Sequence, residues 1–175
     1  MKAIFPILLV LLICFSAAAQ QPVGDSAPPV TNSLAEVRNM RMALLIVFKS
    51  RVIDLTDRER AIIQDVLKAD PLPSRRYFWV YHIIAQKLNK YIRKHKSLGG
   101  ATELARADYV IYFNVVEFRR ILYTAYPYGE LYVIVKGSPD EQKPPRVIWR
   151  TAKLMSAEDA INAFIKDLKS TRGEN

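Results

Sequence analysis

Two histidines, one cysteine and a set of closely spaced tyrosines are the residues whose side chains invite a chemical reading. His82 and His95 stand 13 positions apart in one predicted helix, which turns them about 140° away from each other around its axis. They cannot hold one metal ion together, and each reads as a packing or surface residue. The cysteine, Cys14, lies in an apolar N-terminal stretch. The sequence has no Gly-x-Ser-x-Gly elbow to present a nucleophilic serine and no phosphate-binding glycine loop, and Gly99-Gly100 reads as a helix end. The adjacent acids Glu158-Asp159 and Asp140-Glu141 are explained by a helix N-terminus and a solvated loop. The expectation is therefore no enzyme, no cofactor and no metal, with a hydrolase of unrecognised site as an alternative.

Binding chemistry is better represented. Tyr123, Tyr126 and Tyr128 lie beside Arg119 and Arg120, and tyrosine offers a flat apolar body with a polar tip, suited to stacking on a sugar or peptide or to anchoring an interface. The competing reading folds these rings back over strand ends around Pro127 and Gly129. Lys87, Lys90, Arg93 and Lys94 share a helix face that suits an anionic polymer: lipopolysaccharide, phospholipid headgroups, teichoic acid or nucleic acid. The plainer reading is a solvated helix end whose cations favour the negative end of the dipole. Asn114 stands mid-strand, where β propensity disfavours it, and marks a bulge, a polar contact or a local hydrogen bond.

Lys2, the apolar stretch Ile4 to Phe15 and Ala17-Ala18-Ala19 form the three regions of a secretory signal, too short to span a bilayer comfortably. Residues 1–19 are expected to be cleaved, which lowers the net charge from +9 to +8 by loss of Lys2. Cys14 lacks a small residue before it, so no lipid anchor is expected, and the mature chain carries neither a thiol nor a transmembrane helix. An exported domain without disulfides must be held by its core alone, which favours a bacterial periplasmic or secreted protein.

Residues 20–32, with Pro22, Pro28, Pro29 and Gly24, read as a flexible leader, 33–172 as one domain and 173–175 as a tail. Ser33 to Glu36 has capping-box spacing, and Met42 to Phe48 reads as a buried first strand, although Val37, Met40, Leu44 and Val47 also suit a helix face. Thr56 to Glu59 caps a short helix with Ile62, Ile63, Val66 and Leu67 on one side, stopped by Pro71 and Pro73. Ser74 to Lys96 is an amphipathic helix whose apolar early turns, Phe78, Trp79, Val80 and Ile83, need a cover that the short helix can supply. The organising strand is Tyr109 to Phe118, followed by a tyrosine loop, strands at 130–136 and 146–151, and a final helix capped by Ser156 and ending near Gly173.

This order, β-α-α-β-β-β-α, predicts an α+β (two-layer α/β) fold: a mixed sheet of about four strands, ending in an antiparallel meander, with the helices on one face. The other face then presents Tyr112, Asn114, Tyr132, Glu130 and Arg150 to water or to a partner. The succession Ala107-Asp108-Tyr109-Val-Ile, Gly129-Glu-Leu-Tyr-Val-Ile-Val135 and Arg146-Val-Ile-Trp149-Arg, with a closing helix, resembles small bacterial envelope domains such as the N-terminal domain of the Tol-Pal propeller protein and related outer-membrane-associated lipoprotein domains. The function expected is an exported envelope or periplasmic binding module that contacts an unknown protein or envelope component through the open sheet face and the tyrosine loop. Binding of anionic polymers through the basic helix is the second expectation.

Overall fold

An apolar run too short for a globular helix buries well between two layers, and Met42–Phe48 does so as strand β1. The computed structural model describes residues 32–49, 55–68, 77–137 and 143–174. In chain order β1 is followed by α1 (Leu55–Lys68), α2 (Phe78–His95), β2 (Gly99–Ala101), β3 (Tyr109–Ile121), β4 (Thr124–Val135), β5 (Arg146–Arg150), β6 (Met155–Ser156) and α3 (Ala157–Arg172). The signal segment, nearly all of the leader, the Thr56 side chain, Pro71, Pro73, Ser74 and the Asp140-Glu141 loop fall outside the described residues.

The fold is α+β with a mixed sheet, ordered β2-β1-β3-β4-β5, and β6 pairs with β4. Strand β1 runs parallel to β2 and β3, whereas β3, β4 and β5 form the antiparallel meander. Asp108 fastens the parallel start: its Oδ2 accepts the Arg41 and Met42 amides, each at 2.8 Å. At the far edge, residues 32 and 33 close off β5, with Ser33 N–H donating to the Ile148 carbonyl and Arg150 N–H to Asn32 Oδ1.

The helices do not share one face. Helices α2 and α3 cover Ala43, Leu45, Val47, Ile111, Phe113, Leu131 and Val133, while α1 lays Ile62 and Val66 over Leu44, Ile46, Val110, Tyr112, Tyr132 and Ile134 on the opposite side. The expectation of a bare second face is thus corrected, and the reason is hydrophobic. Both alternating sets of β1, β3 and β4 are apolar or aromatic, so each needs its own helical layer.

Three local corrections follow from the same geometry. With α1 on the far face, the start of α2 finds its cover elsewhere among the described residues: Trp79 meets Phe118 of β3 with ring centroids 5.8 Å apart, and Phe78 stays exposed. Helix α2 ends at Lys96, whose φ of 53° is left-handed and whose amide returns to the Ile92 carbonyl. Gly99 and Gly100 belong to the edge strand β2 beside Met42 and Ala43, not to a helix end. In the β4–β5 pairing the register shifts between Val133 and Ile134. Val147 consequently faces α1, while Ile148 and Trp149 face α3, where the Trp149 indole N–H donates to Asp167 Oδ2 at 3.0 Å.

The α3 cap stands as read: Ser156 Oγ accepts the Asp159 amide, and Gly173 closes the helix at φ 68°.

Candidate functional site: a projecting aromatic arm

The stretch read as a tyrosine loop is strand. Strands β3 and β4 continue past the last β1 partner, Asn114, and form a two-stranded arm pairing Glu117 with Tyr128, Phe118 with Pro127, Arg119 with Tyr126, Arg120 with Ala125 and Ile121 with Thr124. A bulge between Val115 and Glu117 redirects the arm. Gly129 permits the close crossing at its base, since a Cβ there would overlap the Asn114 carbonyl and lie 2.9 Å from Phe113 Cζ. Asn114 itself is buried beside the bulge rather than presented to a partner.

The arm turns through Leu122 and Tyr123, which are 85 % and 99 % exposed. Leu122 has φ 55°, in the half of backbone space where two-residue hairpin turns favour glycine or asparagine. Behind the turn stand exposed Phe118, Ile121 and Tyr126, and Trp79 packs against Phe118 at the arm's base. Most of the large apolar side chains exposed among the described residues thus gather on or beside one slender projection. Arg119 donates to Glu117 Oε1 at 2.6 Å and lies 4.2 Å over the Tyr128 ring, which holds that tyrosine against the arm. Arg120 is exposed.

The other predicted partner-binding residues lie under α1. Tyr112 and Tyr132 are fully buried. Burial pushes both hydroxyls well above the usual tyrosine range, with Asp65 adding to the effect at Tyr112 and a hydrogen bond to Glu130 at Tyr132. Arg58 Nη1 and the Tyr132 hydroxyl both donate to Glu130 Oε2, at 2.7 and 2.6 Å. Arg150 sits 3.1 Å from Glu59, whose carboxyl is raised by burial against the opposing pull of Arg150. The carboxylates of this face are therefore engaged in fastening a helix to the sheet.

The basic helix face is less concentrated than its spacing suggests. Lys87 pairs with Glu158 of α3 at 2.6 Å, and Lys94 also has a partner, leaving Lys90 and Arg93 facing outward. A denser basic cluster lies where the C-terminal ends of α2 and α3 meet the chain entering β1. There a cleft of about 620 Å³ is lined by Arg38, Arg41, Lys96 and Arg172. Arg172 is occupied by the carbonyls of Val37, Met40 and Ser97, whereas the other three side chains pair with no acid among the described residues. Glu174 on the same rim accepts from the Tyr91 hydroxyl and lies 3.5 Å from His95 Nδ1. His82 packs edge-on against Phe78, so the two histidines serve separate contacts. Among the described residues, three or more His, Cys, Asp or Glu side chains nowhere gather at metal-binding distance.

Sequence reasoning missed Leu122, Ile121, Phe118 and Trp79 because the usual hairpin signal, glycine or asparagine at the turn, is missing between Ile121 and Thr124. It missed the cleft because Arg38, Arg41, Lys96 and Arg172 converge only in the fold.

No family model and no curated protein matches this chain. Among solved structures, a dodecamer of a PelC variant from Paraburkholderia phytofirmans is similar over 86 % of this chain and 94 % of that one, at 13 % identity and a TM-score of 0.33.

Proposed function

We propose that this protein is an exported bacterial envelope or periplasmic binding module, without enzymatic activity, that contacts a protein or envelope component through the β3–β4 arm. The observation that carries this reading is the placement of Leu122 and Tyr123 at the most exposed point of the arm, with Leu122 in a backbone conformation that favours glycine. Folding gains nothing from an apolar side chain there, and solubility loses by it. The secretory signal read in residues 1–19 and the resemblance to small envelope domains support an envelope setting. A photo-reactive residue in place of Tyr123 should cross-link to an envelope component in intact cells, and the same residue in place of Leu67, exposed on α1, should not. Equal cross-linking from both positions would remove the arm as the contact site.

A second reading rests on the cleft of Arg38, Arg41 and Lys96. Three cations around one hollow, none of them paired with an acid among the described residues, suit the phosphates or carboxylates of an anionic polymer. Retention on an anionic resin that falls steeply with salt, and is lost in an Arg38→Ala/Arg41→Ala/Lys96→Ala variant, supports it. Retention unchanged in that variant contradicts it.

A further inference from the structure

We infer that the arm is a wedge for an anionic lipid bilayer, an inference that rests on the arm being the contact site and specifies its partner. The residues are layered along the arm's axis. Leu122 and Tyr123 form the end, Ile121 and Thr124 come next, and Arg120, then Arg119 paired with Tyr126, stand behind them. At roughly 3.3 Å per residue, the turn lies about 7–10 Å beyond these arginines. Apolar elements lying at a membrane surface are buried about 5–10 Å into the boundary between headgroups and acyl chains. Seating the apolar end at that depth therefore brings the arginines to the level of the lipid phosphates. Tyr126 then occupies the interfacial level that tyrosine prefers, with Trp79 and Phe118 nearer the protein body.

Shape and charge favour a bilayer over a folded protein. A stable protein interface buries about 800 Å² on each side and presents an apolar centre with a polar rim. The arm instead narrows to a two-residue turn, and its polarity changes along its length rather than outward from a centre. The chain's net charge of +9, or +8 once residues 1–19 are removed with Lys2, complements an anionic lipid surface.

The test uses the exported protein and co-sedimentation with vesicles of phosphatidylcholine alone or mixed with phosphatidylglycerol. Binding is expected only to the mixed vesicles and should weaken about tenfold in Leu122→Asp, the effect of one apolar side chain withdrawn from the acyl boundary. Arg120→Gln should weaken it less and flatten its salt dependence, and both variants should melt as the parent does. A Trp introduced as Tyr123→Trp should blue-shift on binding. Failure to bind mixed vesicles, or binding equal in Leu122→Asp and parent, overturns the bilayer inference. If the bilayer inference fails but Leu122→Asp still loses the cross-links formed in cells, the partner is a protein and the arm remains the contact site; if those cross-links persist as well, both readings fall.

Discussion

Arg58 of α1 reaches Glu130 of β4, Nη1 to Oε2 at 2.7 Å, with both side chains largely buried. Their contact shows why the second sheet face is not a docking surface: it is already docked, by the protein's own first helix. Burial lowers the tendency of Arg58 to hold its proton, but its bond to Glu130 more than compensates, so the guanidinium keeps its charge beneath the helix. Removing one partner by Glu130→Ala should cost about 1–3 kcal/mol, since it deletes the carboxylate that accepts from both Arg58 Nη1 and the Tyr132 hydroxyl. Urea unfolding of the single variants and of Arg58→Ala/Glu130→Ala measures this, and the double variant should lose less than the two singles summed.

The apolar part of the same contact makes a sharper prediction. Ile62 is fully buried and Leu67 is exposed on the same helix. Ile62→Ala should destabilise by about 2–4 kcal/mol through lost burial and a residual cavity, and Leu67→Ala should stay within about 0.5 kcal/mol. Comparable small losses at both positions would mean that α1 is not packed on the sheet.

How far all this was legible in the sequence differs from strand to strand. Strict alternation along β3 and β4 sorts their residues as the fold does: Ile111, Phe113, Leu131 and Val133 share one core, and Val110, Tyr112, Tyr132 and Ile134 the other. The covering of both faces was legible too, since Met42–Phe48 is a continuous apolar run of the kind that parallel strands show when buried on both sides. Assigning Ile62 and Val66 to α2 rather than to the sheet hid it. Simple alternation puts Val147 on the side of Trp149, and nothing local in Arg146-Val-Ile-Trp announces the register shift that turns it to the α1 side. The arm was hidden by its own turn, because Leu122-Tyr123 lacks the residues by which hairpins are recognised.

That turn is itself a test. Leu122→Gly removes the cost of a β-carbon at φ 55° and should leave the protein as stable or more stable by about 1 kcal/mol. Binding through the arm should weaken nevertheless. Calorimetric melting alongside the envelope cross-linking assay separates the two effects, and a variant that is destabilised would show that Leu122 serves the fold.

Gly129→Ala should fail in the opposite way. A methyl group there meets the Asn114 carbonyl and the Phe113 ring, so β3 and β4 must part at the base of the arm. A loss of at least about 3 kcal/mol is expected, beyond ordinary overpacking because backbone is what must move. Equilibrium unfolding and near-ultraviolet circular dichroism check it.

Acid sensitivity should trace in part to Glu174. Partial burial pushes its carboxyl up, but hydrogen bonds from Ser97 and Tyr91 and the charges of His95 and Arg172 hold it below its ordinary 4.5. A depressed carboxyl contributes stability that is present above 4.5 and lost as the pH falls through its folded value. Glu59, raised by burial, acts with the opposite sign just above 4.5 and is common to both proteins compared. Melting temperatures of parent and Glu174→Gln should therefore differ near neutrality and converge as the pH falls below 4.5 and the carboxyl takes up its proton; a constant gap would refute the assignment.

The most direct measurement is the amount of protein retained on native envelope membranes for the parent and for Leu122→Asp/Tyr123→Asp, two substitutions at highly solvated positions. The arm account predicts that the variant melts at the same temperature yet remains in the supernatant. Retention equal to that of the parent would contradict it.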